Sequence, residues 1–367
     1  MTIKIRLRLV GVILGLSINS HAMTSLSDDD LRQTHGQALW QLQYLAPTDA
    51  GNPNNNIGFY RVGLNAEMAI NANIKRLRLG CGGVNNAINS GLCDIDFENF
   101  RLTGIVPSSA VDVAPSTDAI LTNPFFEVAI RNPNQASTRE VVGLRFGAQN
   151  VLGAFTIGEN PDTNRPDETG EFGIHSFSGR LNADIYDVTV PLGLCSGLGF
   201  ANSTRTGCSF GSFELLSGSA TINNPSTNNH YYTSKSGTRL TEITAEGIPL
   251  RAVLPVLGLP ITININANLV LALKNLHRFD LVNTPDFFLS VQKENLSWRM
   301  SDQSWTNVNR GWWMEVPKAE ISGITAQKTY VGQFEAIGAI IGFDLTAGPV
   351  DVGQRPIDNC YGSLTFC

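Results

Sequence analysis

Residues 261–273 carry the clearest period-two pattern in the chain. Ile261, Ile263, Ile265, Ala267, Leu269, Leu271 and Leu273 share one side, while Thr262, Asn264, Asn266 and Asn268 share the other. Period two is the side-chain repeat of a β-strand, so this segment can bury its apolar side only by extending in a sheet. At about 3.3 Å per residue it spans on the order of 40 Å, which calls for long strands rather than a short sandwich. A related string, apolar-Asn-Ala-polar-apolar, recurs at 64–68, 70–74, 181–185 and 265–269. The recurrences have no fixed period, which excludes a stacked solenoid, and they read as similar strands.

Weaker strand patterns fall at 59–64, 95–102, 125–131, 141–147, 172–177, 186–190, 213–222, 240–248, 287–292, 312–316 and 333–343. Turn-rich breaks separate them at 47–56, 107–117, 159–170 and 223–237. Charged residues make up only 16% of the chain and glycines number 35, a composition that suits turn-rich β-structure better than long surface helices. The expected fold is all-β: an extended, largely antiparallel sheet or sandwich with long strands and one short N-terminal helix. The Asn-, Ser-, Thr- and Pro-rich stretch 223–237 is the best boundary, dividing a first β-rich region, 39–222, from a second, 238–367. One continuous domain and two fused ones both fit this length. The apolar run 252–260 holds Pro255, Gly258 and Pro260, which exclude a membrane helix there. An outer-membrane barrel shares the alternating signature. Uneven strand spacing, local cysteine pairs and an end at Cys367 in place of an aromatic strand weigh against it.

The N-terminus carries Lys4, Arg6 and Arg8, then an apolar run over 9–18, then Ser20-His21-Ala22, the pattern of a cleavable export signal over residues 1–22. Its removal takes away three basic residues and no acid, moving the net charge from −6 to about −9. That balance excludes nucleic acid as a partner. Behind the signal, 23–38 holds one short helix: Ser27 can cap it, Asp30 completes a capping box, and Gly36 can close it. In an oxidising compartment the six cysteines fall into three local pairs, Cys81 with Cys93, Cys195 with Cys208, and Cys360 with Cys367. No C-x-x-C or histidine spacing supports a metal site.

The segment Leu26-Ser27-Asp28-Asp29-Asp30-Leu31-Arg32-Gln33-Thr34-His35-Gly36-Gln37-Ala38 resembles the L-x-D-x-x-L-x-x-x-x-G-Q block of FilA-like secreted pilus-system proteins of Acinetobacter and relatives. The stretches 80–91 and 137–143 are similar to that family as well. The resemblance implies a surface or filament-associated role with other pilus or envelope proteins as partners. It carries over no catalytic residue and no cofactor.

Other chemistry is sparse. Gly207-Cys208-Ser209-Phe210-Gly211 matches the G-x-S-x-G of a nucleophile elbow, but it lies among β-signals with Cys208 expected in a disulfide. His35, His175, His230 and His277 are single and far apart. The loop 159–171, around Asp162, carries five carboxylates and reads either as a solvated acidic turn or as a calcium loop. Asp94, Asp96 and Glu98 align on what reads as a solvent-facing side of a strand. Trp298, Trp305, Trp312 and Trp313 cluster within sixteen residues, as a core hairpin would or as a binding surface would. Phe366 takes the penultimate place of a donor strand, although a Cys360–Cys367 bridge would close that end into a loop. The expected function is a non-enzymatic exported surface or pilus-system component working by protein–protein contact, in adhesion or biofilm formation. The alternative is a periplasmic or outer-membrane β-protein that binds lipid or another apolar ligand along 261–273.

Overall fold

The computed structural model describes residues 39–105, 118–158, 173–186, 189–196, 201, 207–209, 213–222, 230–256, 259–321, 324, 328–332, 345–350 and 353–354. The export signal, the 23–38 helix, the 159–171 loop with Asp162, the 333–343 strand and the Cys360/Cys367 pair lie outside them. The chain divides into two compact units, Met1–Trp40, described only at Leu39 and Trp40, and Gln41–Cys367.

The larger unit is mostly β-structure over its described residues, with a 3-10 turn at Leu273–Asn275 between two strands. Its strands are β1 (Trp40–Leu45), β2 (Ile57–Leu64), β3 (Glu67–Ile70), β4 (Ala72–Leu79), β5 (Ile95–Thr103), β6 (Ala119–Arg131), β7 (Glu140–Thr156), β8 (Ile174–Tyr186), β9 (Thr189–Cys195) and β10 (Glu214–Ile222). There follow β11 (His230–Leu240), β12 (Glu242–Val256), β13 (Leu259–Ala272), β14 (Arg278–Gln292), β15 (Leu296–Arg299), β16 (Trp305–Val308), β17 (Gly311–Ile321), β18 (Thr329–Gly332) and β19 (Leu345–Val350).

An eleven-stranded sheet runs β1-β2-β6-β7-β14-β17-β8-β5-β4, with β3 alongside β6 and β11 alongside β8. β5 meets β8 through Ile95–Phe97 and β7 through Arg101–Thr103, so the pairings β7-β14-β17-β8-β5 return on themselves as a ring. A six-stranded sheet, β18-β9-β10-β12-β13-β19, and the β15–β16 hairpin complete the described strands. Pairing is antiparallel except at β17–β8, β18–β9 and β13–β19.

Both large sheets feed one core. Phe97, Phe155, Phe177 and Phe279 from the larger sheet share it with Leu192, Ile243, Ala267 and Leu271 from the smaller. Phe97 sits 5.6 Å from Phe155 and Phe155 5.4 Å from Phe279, between ring centroids, within the range of favourable aromatic pairs. Of the long alternating strand's apolar side, Ala267 and Leu271, with Leu273 just beyond, are buried here, while Thr262, Asn264 and Asn266 face solvent.

Three local readings change. Residues 230–237, read as linker, are the greater part of β11, whose Tyr231-Tyr232-Thr233 run pairs with Asp184–Ile185 and Ala183 of β8. Strands from both sides of 223–229 therefore lie in one sheet. The expected strand at 172–177 runs on to Tyr186, because Leu181, Ala183 and Ile185 continue its buried side. Of the four Asn-Ala strings, those at 64–68 and 70–74 straddle the breaks between β2, β3 and β4, and only 181–185 and 265–269 lie within strands. Asparagine also serves inside strands: Asn99, Asn123 and Asn283 have φ of 49°, 51° and 49° in β5, β6 and β14. That left-handed conformation is tolerated better by Asn than by most residues, and at Asn283 it accompanies a register shift.

Candidate functional site: an apolar sheet face ending in a groove

Five adjacent strands of the larger sheet place a residue row across their width. Tyr60 pairs with Val128, Val128 with Leu144, Leu144 with Val291, and Val291 with Trp312. Two residues along, Val62, Phe126, Phe146, Leu289 and Met314 form the next row in the same way. Directly paired residues point to the same side of a sheet, so both rows lie on one face and both are wholly apolar or aromatic. At the β17 end, Met314 joins the main core. Toward β1 the face is open: Tyr60 is 39% exposed, Val62 37% and Phe146 52%. Leu42 and Tyr44 on the edge strand are exposed too, and Tyr44 lies 4.5 Å from Tyr60 between ring centroids.

The row between these two points the other way and reads Arg61, Glu127, Arg145, Ser290 and Trp313. Here the charges are inside. Arg145 is fully buried, donates from Nε to Glu127 Oε2 at 2.8 Å, and lies about 5 Å from the Phe125, Phe288 and Trp298 rings. Its second contact to Glu127 and one from Arg61 complete the cluster. The β15–β16 hairpin covers it: Arg299 O accepts from Arg145 at 2.8 Å and from Arg61 at 3.2 Å. Burial pushes the Arg145 pKa down to about 10 against the pull of Glu127, which leaves the guanidinium charged at neutral pH. Nearby, Trp313 Nε1 donates to Glu315 at 2.9 Å, yet burial still drives that carboxyl up to about 7.

At one end the apolar face becomes a groove of about 390 Å³. Its floor is Val142, Leu144, Val291 and Trp312, and its rim is Gly83 and Val84 of the loop between β4 and β5. That loop is closed by the Cys81–Cys93 disulfide. It is pinned from below by Arg239, whose Nε donates to Asp94 at 3.0 Å and whose terminal nitrogens donate to the carbonyls of Gly80 and Ile88. Asp94 also accepts from Asn85 Nδ2 at 3.1 Å and from the Trp312 backbone at 3.0 Å, tying loop to floor. Gly311, at φ 91°, leaves room for this: a Cβ there would stand 2.4 Å from both Asn85 and Asp94.

The groove therefore brings together the stretches 80–91 and 137–143, far apart in sequence: Gly80, Gly83 and Val84 from one, Val141, Val142 and Gly143 from the other. The four tryptophans divide. Trp298 and Trp313 are buried with Phe59 in a second core cluster, Trp305 packs partly buried against it, and Trp312 lines the groove. The reading of Asp94, Asp96 and Glu98 as solvent-facing is corrected. Arginines of β4 and β11 come to them, so Asp94 is buried against Arg239, Asp96 is buried between Arg76 at 3.2 Å and Arg78 at 3.3 Å, and Glu98 meets His175 at 3.0 Å.

Cys195 and Cys208 form a second disulfide, so the residue before Ser209 is bonded and bridged to Ala201 rather than set on an elbow. His277 is buried, with Nδ1 3.0 Å from Ile157 O. No group of three or more His, Cys, Asp or Glu among the described residues could hold a metal ion. Two disulfides fit an oxidising environment, and no described helix is long and apolar enough to cross a membrane.

Arg61, Glu127, Arg145, Arg239, Tyr60 and Phe146 are site residues that the sequence reading passed over. A signal for most of them exists: Tyr60-Arg61-Val62, Phe126-Glu127-Val128 and Leu144-Arg145-Phe146 each put a charge between two apolar residues at the middle of a strand.

Fold and site together define an all-β, disulfide-bonded protein with an exposed apolar sheet face. Beyond that class, the chain matches no family model, no curated protein and no solved structure.

Proposed function

We propose that this chain is a non-enzymatic, exported component of a surface or pilus system, and that it works by protein–protein contact through the apolar face of β2, β6 and β7 and its groove. The observation that carries the reading is the inverted sheet. Arg61, Glu127 and Arg145 are packed inside under a hairpin, while Tyr60, Val62 and Phe146 on the reverse side are left open. Burying a charge cluster is costly, and contiguous exposed apolar area is uncommon on a protein that works alone. A partner that covers the face gives this arrangement a use. Further support comes from the two stretches that resemble FilA-like proteins, which meet at the groove. Export rests on the signal-like residues 1–22 and accords with the disulfides.

Lipid or another apolar ligand is the second reading, favoured by the same groove lining. The strand 261–273 supports it less, since Ala267, Leu271 and Leu273 are used up in the core.

A Phe146→Asp variant tests the reading. It is expected to be exported and folded, with unchanged far-ultraviolet circular dichroism, and to lose its association with envelope or filament partners on size-exclusion of detergent extracts. An unchanged elution position would count against the contact face, and lipid co-purifying with the wild type but not the variant would favour the second reading.

A further inference from the structure

On the charged side of the larger sheet, away from the apolar face, a cleft of about 370 Å³ opens between β1–β2 and the turn of the β15–β16 hairpin. That size falls at the lower end of small-molecule sites, about 300–1,000 Å³. Its polar walls include Gln43, Arg61, Glu127, Gln149, Arg299 and Gln303.

Two features point to a ligand and to its chemistry. The first is an unmatched guanidinium. Arg61 spends one terminal nitrogen on Glu127 and on Arg299 O, but its Nε is buried with no hydrogen-bond partner. Arg145 Nη1, behind it, is also unpartnered. Glu127 and Asp286 are among the carboxylates near these guanidiniums, and Asp286 is already engaged by Ser301, whose N–H donates at 2.9 Å and whose hydroxyl donates at 2.6 Å. A guanidinium donor without an acceptor beside the cleft suits a carboxylate. The second is a set of amides. Gln149 accepts from Asn123 at 2.9 Å and Gln303 from Arg299 at 3.3 Å, both through Oε1, which leaves their NH₂ groups directed to other acceptors such as hydroxyls.

We propose that this cleft binds a carboxylate-bearing sugar, of which a uronic acid is the smallest example, with the Arg61 and Arg299 guanidiniums taking the carboxylate and Gln149 and Gln303 the ring hydroxyls. The site lies on the opposite side of the sheet from the contact face, so it stands or falls separately from the proposed function.

The test is saturation-transfer NMR and calorimetry on the disulfide-intact exported protein with glucuronate, glucose and acetate as probes. Saturable glucuronate binding is expected, with glucose and acetate each at least about ten-fold weaker, as expected when a site built for a polar group is left unmatched. Gln303→Ala, on the exposed rim, should weaken glucuronate several-fold with thermal stability unchanged, and Arg299→Gln should remove the preference for glucuronate over glucose. Absence of saturable glucuronate binding, equal binding of glucose, or equal binding of acetate would each overturn the assignment. So would glucuronate binding untouched by both variants.

Discussion

Arg239 Nε lies 3.0 Å from Asp94 Oδ1, with both side chains sealed from solvent and 145 positions apart in the chain. Removing one partner of a buried pair leaves the other charge unmatched, at a cost of about 3–5 kcal/mol. Asp94→Ala is therefore expected to lower the free energy of unfolding by about that amount in urea titrations. The double variant Asp94→Ala/Arg239→Met should be less destabilised than the sum of its single changes, because no orphan charge remains.

Gly311 sits where the β17 strand starts under the disulfide loop. Its φ of 91° and the 2.4 Å distance from a built Cβ to Asn85 and Asp94 leave no space for a methyl group. Gly311→Ala should destabilise by more than about 2 kcal/mol, against about 1 kcal/mol for Gly82→Ala, which shares the backbone strain at φ 70° but whose Cβ would meet nothing. Thermal denaturation of the two variants side by side makes the comparison.

Glu315 sets a pH dependence. Its carboxyl titrates near 7 in the folded protein instead of at its ordinary 4.5, chiefly because it is buried. Between those values the folded state holds a proton that the unfolded state has released. Stability therefore falls as pH rises through the window from about 4.5 to 7, by on the order of 3 kcal/mol. Glu315→Gln should flatten this decline and be the more stable form at pH 8. Chemical denaturation of both proteins at pH 5 and pH 8 reads the difference directly.

Phe146 is half exposed and makes one aromatic contact, 4.8 Å to Phe126 between ring centroids. Phe146→Ser should cost only about 1 kcal/mol of stability, the size of a lost aromatic pair. Trp298→Ala, by contrast, removes a fully buried ring and should cost about 3–5 kcal/mol. Equal losses in the two would mean that Phe146 belongs to the fold rather than to a contact.

Much of the sheet was readable because period two is a local property. Residues 261–273 and 95–102 carry their strand identity in their own alternation, and the close cysteine pairs 81/93 and 195/208 need no knowledge of the fold. What alternation leaves open is which side of a strand meets what. Leu144-Arg145-Phe146 alternates perfectly, and the ordinary inference puts the arginine outside. The structure puts it inside, because Glu127 on the next strand and the Arg299 carbonyl above arrive from 18 and 154 residues away. The same holds for Asp94, whose partner Arg239 lies in β11 just past the stretch that composition alone marks as linker. His230–Gly237 is polar enough to read as a loop, but β8 offers an unpaired edge that makes it a strand.

The central claim is that the apolar rows through Tyr60 and Phe146 are covered by a partner protein. A photo-crosslinking amino acid placed at Phe146, and as control at Gln303 on the opposite side of the sheet, tests it in intact cells. Discrete protein adducts of defined mass from position 146, with none from 303, are the expected result. Adducts only to lipid, equal adducts from both positions, or none from 146 would contradict it.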